Sequence, residues 1–160
     1  MGRILRNLSG LLFALISLSA LAQEPLLTIK VAGCCDGKDS IALTRADFDA
    51  LPQHELTTRT PWTEGEHVYR GVLLRDLVKH FNIRGDEVKA VALNDYWAAL
   101  PLADGEQFDV LLASRQDGKE LTLRNKGPLW VIYPLSQHPE LDKEIYHSRM
   151  VWQLSAIAGK

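Results

Sequence analysis

Downstream of Gln23, glycine, proline and Asp-Gly turn signals cut the chain into short pieces, and this punctuation constrains the fold most. β-rich segments run over Leu26–Ala32, Ser40–Leu43, His54–Thr60, Val88–Leu93 and Tyr96–Leu100. Val110–Ala113 and Leu121–Leu123 flank Asp117-Gly118, a hairpin signal. Leu129–Tyr133 is an apolar strand between Pro128 and Pro134, and Val151–Ala158 reads as a final strand. Helical spacing is confined to few places. Thr44 can cap a helix with Asp47 three residues on, with Phe48 and Leu51 inward and Pro52 as the stop. Val72–Phe81 places Leu73, Leu74, Leu77, Val78 and Phe81 on one face. Leu102–Gln107 predicts one short turn, and Pro139–Met150 a helix or loop. Strands are too frequent for a doubly wound sheet and no repeat is visible. The expectation is α+β: a single domain with a mixed sheet and short helices.

The N-terminus points to a compartment. Arg3 and Arg6 precede an uncharged apolar run, Leu8–Leu21, and Ala20-Leu21-Ala22 supplies small residues for cleavage. The pattern predicts residues 1–22 as a secretory signal peptide and residues 23–160 as the mature domain, hence a periplasmic location. Cleavage removes two arginines and no acids, making the chain two charges more negative than its formal −2. With no basic stripe or tail, nucleic acid is excluded as an expected partner.

The only cysteines, Cys34 and Cys35, are neighbours in VAGCCDGKDS. Three readings stand: two buried thiols at a strand end, a vicinal disulfide favoured by an oxidising compartment, or a metal or intermolecular role. The five histidines lack zinc spacing, and the chain has no nucleophile elbow, Walker loop, GxGxxG or CxxC. No catalytic or metal-ligating residue is expected.

Aromatics beside cations and glycine do recur, in three places. RTPWTEGEHVYRGV, residues 59–72, reads as an ordered loop that presents Trp62. Asn94-Asp95-Tyr96-Trp97 is the second, and Arg124-Asn125-Lys126-Gly127-Pro128 the third, followed later by Tyr146, Arg149 and Trp152. A flat heterocycle needs an aromatic face, an amide or carboxylate for ring N–H groups, and a cation for anionic substituents. The bland alternative is that the four tryptophans are core and the charges are solvated; Trp130, inside LWVIY, is core in either case.

TTRTPWTEGEHVYRGVLLRDLV, ALNDYWAALPLAD, LLASRQDGKELTLRNKGPLWVIYP and YHSRMVWQLSAI, in that order, resemble the molybdopterin-binding domain of the sulfite-oxidase fold. The likeness runs from about Phe48 to Ile157, and within the superfamily it looks most like stand-alone periplasmic pterin-binding proteins, the PruR-like group. That resemblance implies a reduced, monapterin-like pterin as ligand. It also implies, as partner, the periplasmic domain of a membrane GGDEF/EAL-type diguanylate cyclase/phosphodiesterase, in cyclic-di-GMP signalling. The alternatives are a molybdopterin-dependent oxidoreductase subunit and a pterin carrier without a signalling role. Family enzymes carry a metal-binding cysteine at the position matching Thr58–Thr60. A hydroxyl does not replace a thiolate as a soft ligand, so the molybdenum cofactor and redox catalysis are not expected here. By resemblance, Arg59, Thr60 and Trp62 line the pocket. Asn94, Asp95 and Tyr96 face the ring or its side chain. Arg124, Lys126 and Gly127 form the basic turn, and Tyr146, Ser148 and Arg149 a later anchoring segment.

Overall fold

The computed structural model describes residues 24–159, so the predicted signal peptide lies outside the described residues. Two five-stranded sheets carry the fold. The first has the order β2-β1-β10-β5-β6, from Ile41–Leu43 (β2), Leu27–Lys30 (β1), Leu154–Ala158 (β10), Glu87–Ala92 (β5) and Trp97–Pro101 (β6). Only β1 and β10 pair in parallel in this sheet; its other neighbours are antiparallel. The second runs β3-β4-β7, from His54–Arg59 (β3), Glu66–Leu73 (β4) and Leu111–Gln116 (β7). The far edge of β7 is shared by Lys119–Glu120 (β8) and Trp130–Ile132 (β9). Helices α1 (Arg45–Ala50), α2 (Leu74–His80), α3 (Leu102–Gln107) and α4 (Glu144–Arg149) are each two turns or less. The mixed α+β expectation holds, with two sheets in place of one. Among the described residues no helix is long and apolar enough to cross a membrane.

Local chemistry explains most boundaries. Thr44 accepts from the Asp47 N–H, and the Asp47 carboxylate accepts from the Thr44 N–H, closing the capping box at α1. At the Asp117-Gly118 hairpin, Asp117 takes φ 50° and Gly118 φ 77°, and β7 turns back into β8. Val88, Ala90 and Ala92 alternate inward along β5.

Three expectations need correction. Residues 59–72 are not all loop: the loop spans only residues 60–65, and β4 follows as a central strand paired to β3 and β7. Tyr69, Val72 and Leu73 are buried, while the exposed Glu66 and Arg70 and the run of buried residues from Gly71 hid the period-2 signal. Helix α2 consequently starts at Leu74, because Val72 and Leu73 belong to the strand. Leu121–Leu123 is no strand: Leu123–Asn125 coil into a 3₁₀ turn, and the hairpin closes on Lys119–Glu120. The ambiguous Pro139–Met150 segment resolves into a 3₁₀ turn, Pro139–Leu141, and α4.

Gly71 permits a close approach of β4 to β7 in the second sheet. A Cβ there would overlap the Leu112 carbonyl, where the β4–β7 register shifts between Arg70 and Gly71. Of the readings left open for the cysteines, the structure selects the disulfide: Cys34 and Cys35 are bonded to each other at the end of β1, both buried, with the Cys35 N–H donating to the Phe81 carbonyl beyond α2.

The two sheets are stitched together by residues 151–154. The Val131 N–H donates to the Val151 carbonyl, Trp130 bridges Trp152, and the Leu154 N–H donates to the Leu129 carbonyl. On the first-sheet side the Leu93 N–H donates to the Gln153 carbonyl. This seam positions the cleft described next.

Candidate functional site

A cleft of about 400 Å³ opens at the seam, within the size range of small-molecule sites and mainly apolar. Trp62 enters from the β3–β4 loop. Ala92, Asn94 and Tyr96 come from the β5–β6 turn, and Glu144, His147 and Ser148 from α4. Met150, Val151 and Trp152 close it along the seam.

The aromatic wall follows from the local fold. Pro61 and Gly65 bound the Trp62 loop, with Gly65 at φ 69°. The Thr60 hydroxyl meets that of Thr63 at 2.8 Å and accepts from the Trp62 N–H at 3.3 Å, fixing the indole's base. Trp62 meets Trp152 edge-on at 5.1 Å between centroids and lies 6.1 Å from the buried Trp130. Beneath, the Trp130 indole N–H donates to the Met150 carbonyl at 3.1 Å. Trp62 and Trp152 stay 38% and 39% exposed, so each keeps indole surface available to a ligand.

The β5–β6 turn forms the second wall. Asp95 takes φ 65°, and the Asn94 side-chain carbonyl accepts from the Tyr96 N–H at 3.1 Å. The Tyr96 hydroxyl donates to the Ser148 carbonyl at 3.1 Å and ties this turn to α4.

Helix α4 is held by two acidic anchors. Asp104 of α3 is buried and accepts from the Tyr133 hydroxyl at 2.6 Å and from Arg149 at 2.7 Å. Burial, with the Asp104 carboxylate second, pushes the Tyr133 phenol far above its ordinary range. Asp142 accepts from Arg59 at 2.7 Å and meets His147 Nε2 at 2.8 Å. The Arg59 hydrogen bond, then that of His147, hold the Asp142 carboxyl below the usual carboxylate range.

The predicted residues fall into four groups. Trp62, Asn94, Tyr96 and Ser148 share the cleft lining. Arg59, Thr60, Tyr146 and Arg149 stand behind it: Arg59 through Asp142, Thr60 under the loop, Tyr146 on the Tyr133 ring with Arg149 over its face. Lys126 reaches the edge of the aromatic wall, its ammonium 5.6 Å from the Trp152 ring and 5.5 Å from Trp130. Asp95, Arg124 and Gly127 are outside the lining. Asp95 shapes its turn, Arg124 projects from an exposed 3₁₀ turn, and Gly127 packs where a Cβ would overlap Leu121. Ala92, Glu144, His147, Met150, Val151 and Trp152 line the cleft without having been singled out as site residues. Only Trp152 carried a sequence signal, as a tryptophan shortly after Tyr146 and Arg149.

The fold is a two-sheet α+β domain, and the sequence profile of the oxidoreductase molybdopterin-binding domain matches residues 13–137. The chain belongs to that family. Among solved structures it is similar to the sulfane dehydrogenase SoxCD from Paracoccus pantotrophus, with a TM-score of 0.60 at 15% identity, covering 89% of this chain and 39% of that one. At that identity the likeness is one of fold, and the chain spans about two fifths of the SoxCD chain's length. No curated protein matches the chain. The profile match stops short of α4 and Trp152, so the helix wall of the cleft lies beyond the matched stretch.

The two halves of a molybdopterin cofactor fit this chain unequally. The apolar cleft with indole surfaces and a nearby ammonium suits the pterin. Where the resemblance puts the family's metal-binding cysteine, this chain would offer threonines: the Thr58 hydroxyl is fully buried and already accepts from the Ser136 N–H at 3.0 Å. Neither sulfur is a free thiolate, because the two cysteines are bonded to one another. Among the described residues no group of three or more His, Cys, Asp and Glu side chains is placed to hold a metal ion.

Proposed function

We propose that this chain is a periplasmic pterin-binding protein that uses the family's cofactor cleft for recognition without redox chemistry. The observation that carries the reading is the cleft itself, with Trp62 and Trp152 presenting indole surface beside Asn94, Tyr96 and Lys126. The ligand is a reduced, monapterin-like pterin. Binding it shifts the population of a surface state that a membrane GGDEF/EAL-type protein reads through its periplasmic domain. The regulatory part of the reading, and the ligand's identity, come from the resemblance to stand-alone pterin-binding proteins; the signal-peptide pattern predicted from residues 1–22 supports the compartment.

A second reading, a molybdopterin-dependent oxidoreductase subunit, is favoured by the family match and the SoxCD-like fold. Metal analysis of protein isolated from its own periplasm separates the two: stoichiometric molybdenum overturns the binding-only reading. The direct test is titration with reduced pterin. Trp62→Ala and Trp152→Ala each remove one indole face and are expected to weaken binding about fivefold, corresponding to about 1 kcal/mol per aromatic contact. Unchanged affinity in both folded variants places the ligand elsewhere.

A further inference from the structure

The cleft's polar groups are unequally committed. The Tyr96 hydroxyl is spent on the Ser148 carbonyl, the Ser148 hydroxyl donates to the Ile145 carbonyl at 2.8 Å, and the Asn94 carbonyl oxygen accepts from Tyr96. Two side-chain acceptors in the lining make no hydrogen bond within the described residues: the Glu144 carboxylate and Nδ1 of His147.

His147 is oriented. Its Nε2 meets one oxygen of Asp142 at 2.8 Å, while the other oxygen takes the Arg59 guanidinium at 2.7 Å. A carboxylate only accepts, so Nε2 carries the hydrogen and donates. The neutral imidazole then has its lone pair on Nδ1, and the ring stands edge-on to Trp62, 6.1 Å between centroids. An acceptor fixed by a carboxylate behind it, next to an indole face, is suited to the N–H edge of a flat heterocycle.

We propose that His147 is a specificity-determining residue of the cleft: its Nδ1 accepts a hydrogen bond from a ring N–H of the bound pterin, and protonation of the imidazole abolishes that match. The proposal rests on the pterin reading above. Once protonated, both ring nitrogens donate and Nδ1 turns an N–H against the ligand's own N–H. The Asp142 bond survives the change, so the ring stays in place and only its polarity at the cleft reverses.

The surrounding charges are accounted for. Asp142 and Arg59 hold the Nε2 side. Glu144 precedes His147 on α4 and lines the same cleft, a second acceptor for an N–H-rich edge. Arg149 is taken up by Asp104. From the basic turn, Lys126 lies over Trp152 and Trp130. On the β5–β6 side Asp95 stands outside the lining.

The experiment is calorimetric titration of the whole chain with 7,8-dihydroneopterin, without oxygen, at about pH 8 and about pH 5.5. Wild type, His147→Ala and His147→Asn are compared, with melting curves to confirm folding. The asparagine oxygen sits near the place of Nδ1 and does not titrate. The wild type is expected to bind about tenfold more weakly at the lower pH, the size of one lost hydrogen bond. His147→Ala is expected to lose about tenfold at the higher pH and to show no pH slope. His147→Asn recovers part of that loss, also without a slope. An alanine variant that binds like wild type at the higher pH, or an asparagine variant with the wild-type pH slope, overturns the proposal and leaves the pterin reading standing. A wild type that binds no pterin at either pH overturns both.

Discussion

The carboxylate of Asp104 makes the sharpest stability prediction. Its Oδ2 receives the Tyr133 hydroxyl at 2.6 Å and the Arg149 guanidinium at 2.7 Å, and the Asp104 and Arg149 side chains are only 12% and 18% exposed. Asp104→Ala leaves a mostly buried guanidinium without its anion and a fully buried phenol without its acceptor. Removing one partner of a buried ion pair costs about 3–5 kcal/mol, and the orphaned hydroxyl falls within that figure. Against a total stability of about 5–15 kcal/mol, this is a large fraction. At about 4 °C per kcal/mol for a domain of this size, the melting temperature is expected to fall by about 12–20 °C. Asp104→Asn keeps the shape and one acceptor but loses the charge, so about 1.5–3 kcal/mol is expected.

A paired substitution tests the cause. Asp104→Leu with Arg149→Met removes both charges and fills the space with apolar atoms, which in other buried pairs is near neutral. If the penalty comes from an unpaired charge, the double variant recovers most of what Asp104→Ala loses. Urea unfolding at neutral pH measures all three. A loss below about 1 kcal/mol for Asp104→Ala, or a double variant at least as unstable as the alanine single, refutes the reasoning.

Gly71→Ala is expected to cost about 3 kcal/mol or prevent folding, since its Cβ would overlap the Leu112 carbonyl and force β4 from β7; urea unfolding checks it. Arg124→Ala with Lys126→Ala is expected to weaken pterin binding only a few-fold with little salt dependence, because Arg124 is outside the lining and Lys126 faces indole rings. A steep salt dependence in wild type, lost in the double variant, identifies a phosphorylated ligand instead. Asp142 titrates below its ordinary 3.8 in the folded chain, owing to Arg59 and then His147. Its contribution is therefore present above that value and disappears as pH falls through the lower, folded-state value. In thermal melts against pH, the wild type is expected to lose more between about pH 5 and pH 2 than Asp142→Asn, and parallel curves contradict this.

The fold was legible where local chemistry decides an element. The Thr44–Asp47 box and the prolines around β9 are short-range signals, and the elements they bound appear within a residue or two of expectation; the Asp117-Gly118 turn also lies where expected, although the strands beside it do not. It was illegible where a strand carries function-like residues on its solvent face. Glu66 and Arg70 made β4 read as loop, yet Tyr69 between them is wholly buried and packs edge-on against Trp130 at 5.6 Å. Burial drives its phenol upward, while the Thr63 and Thr60 hydroxyls act in the opposite direction. The Tyr69–Trp130 contact links residues far apart in sequence, which no local pattern carries. The count of sheets was likewise hidden, because pairing partners are set by topology and not by composition.

The site was half legible for a related reason. Trp62, Asn94 and Tyr96 sit in turns, where an aromatic without a periodic partner is conspicuous in the sequence. Glu144, His147 and Ser148 sit on a six-residue helix with no buried residue, whose pattern is that of any solvated segment. What makes α4 a cleft wall is the pair of carboxylates that grip it, Asp104 on Arg149 and Asp142 on His147. Asp104 lies 45 residues from its partner, and Asp142 is itself held by Arg59, 83 residues away. A helix too short to be stable alone takes its position from such long-range anchors. The cleft's shape therefore depends on ion pairs outside it, and substitutions at Asp104 or Arg59 are expected to change ligand affinity through α4 without touching the ligand.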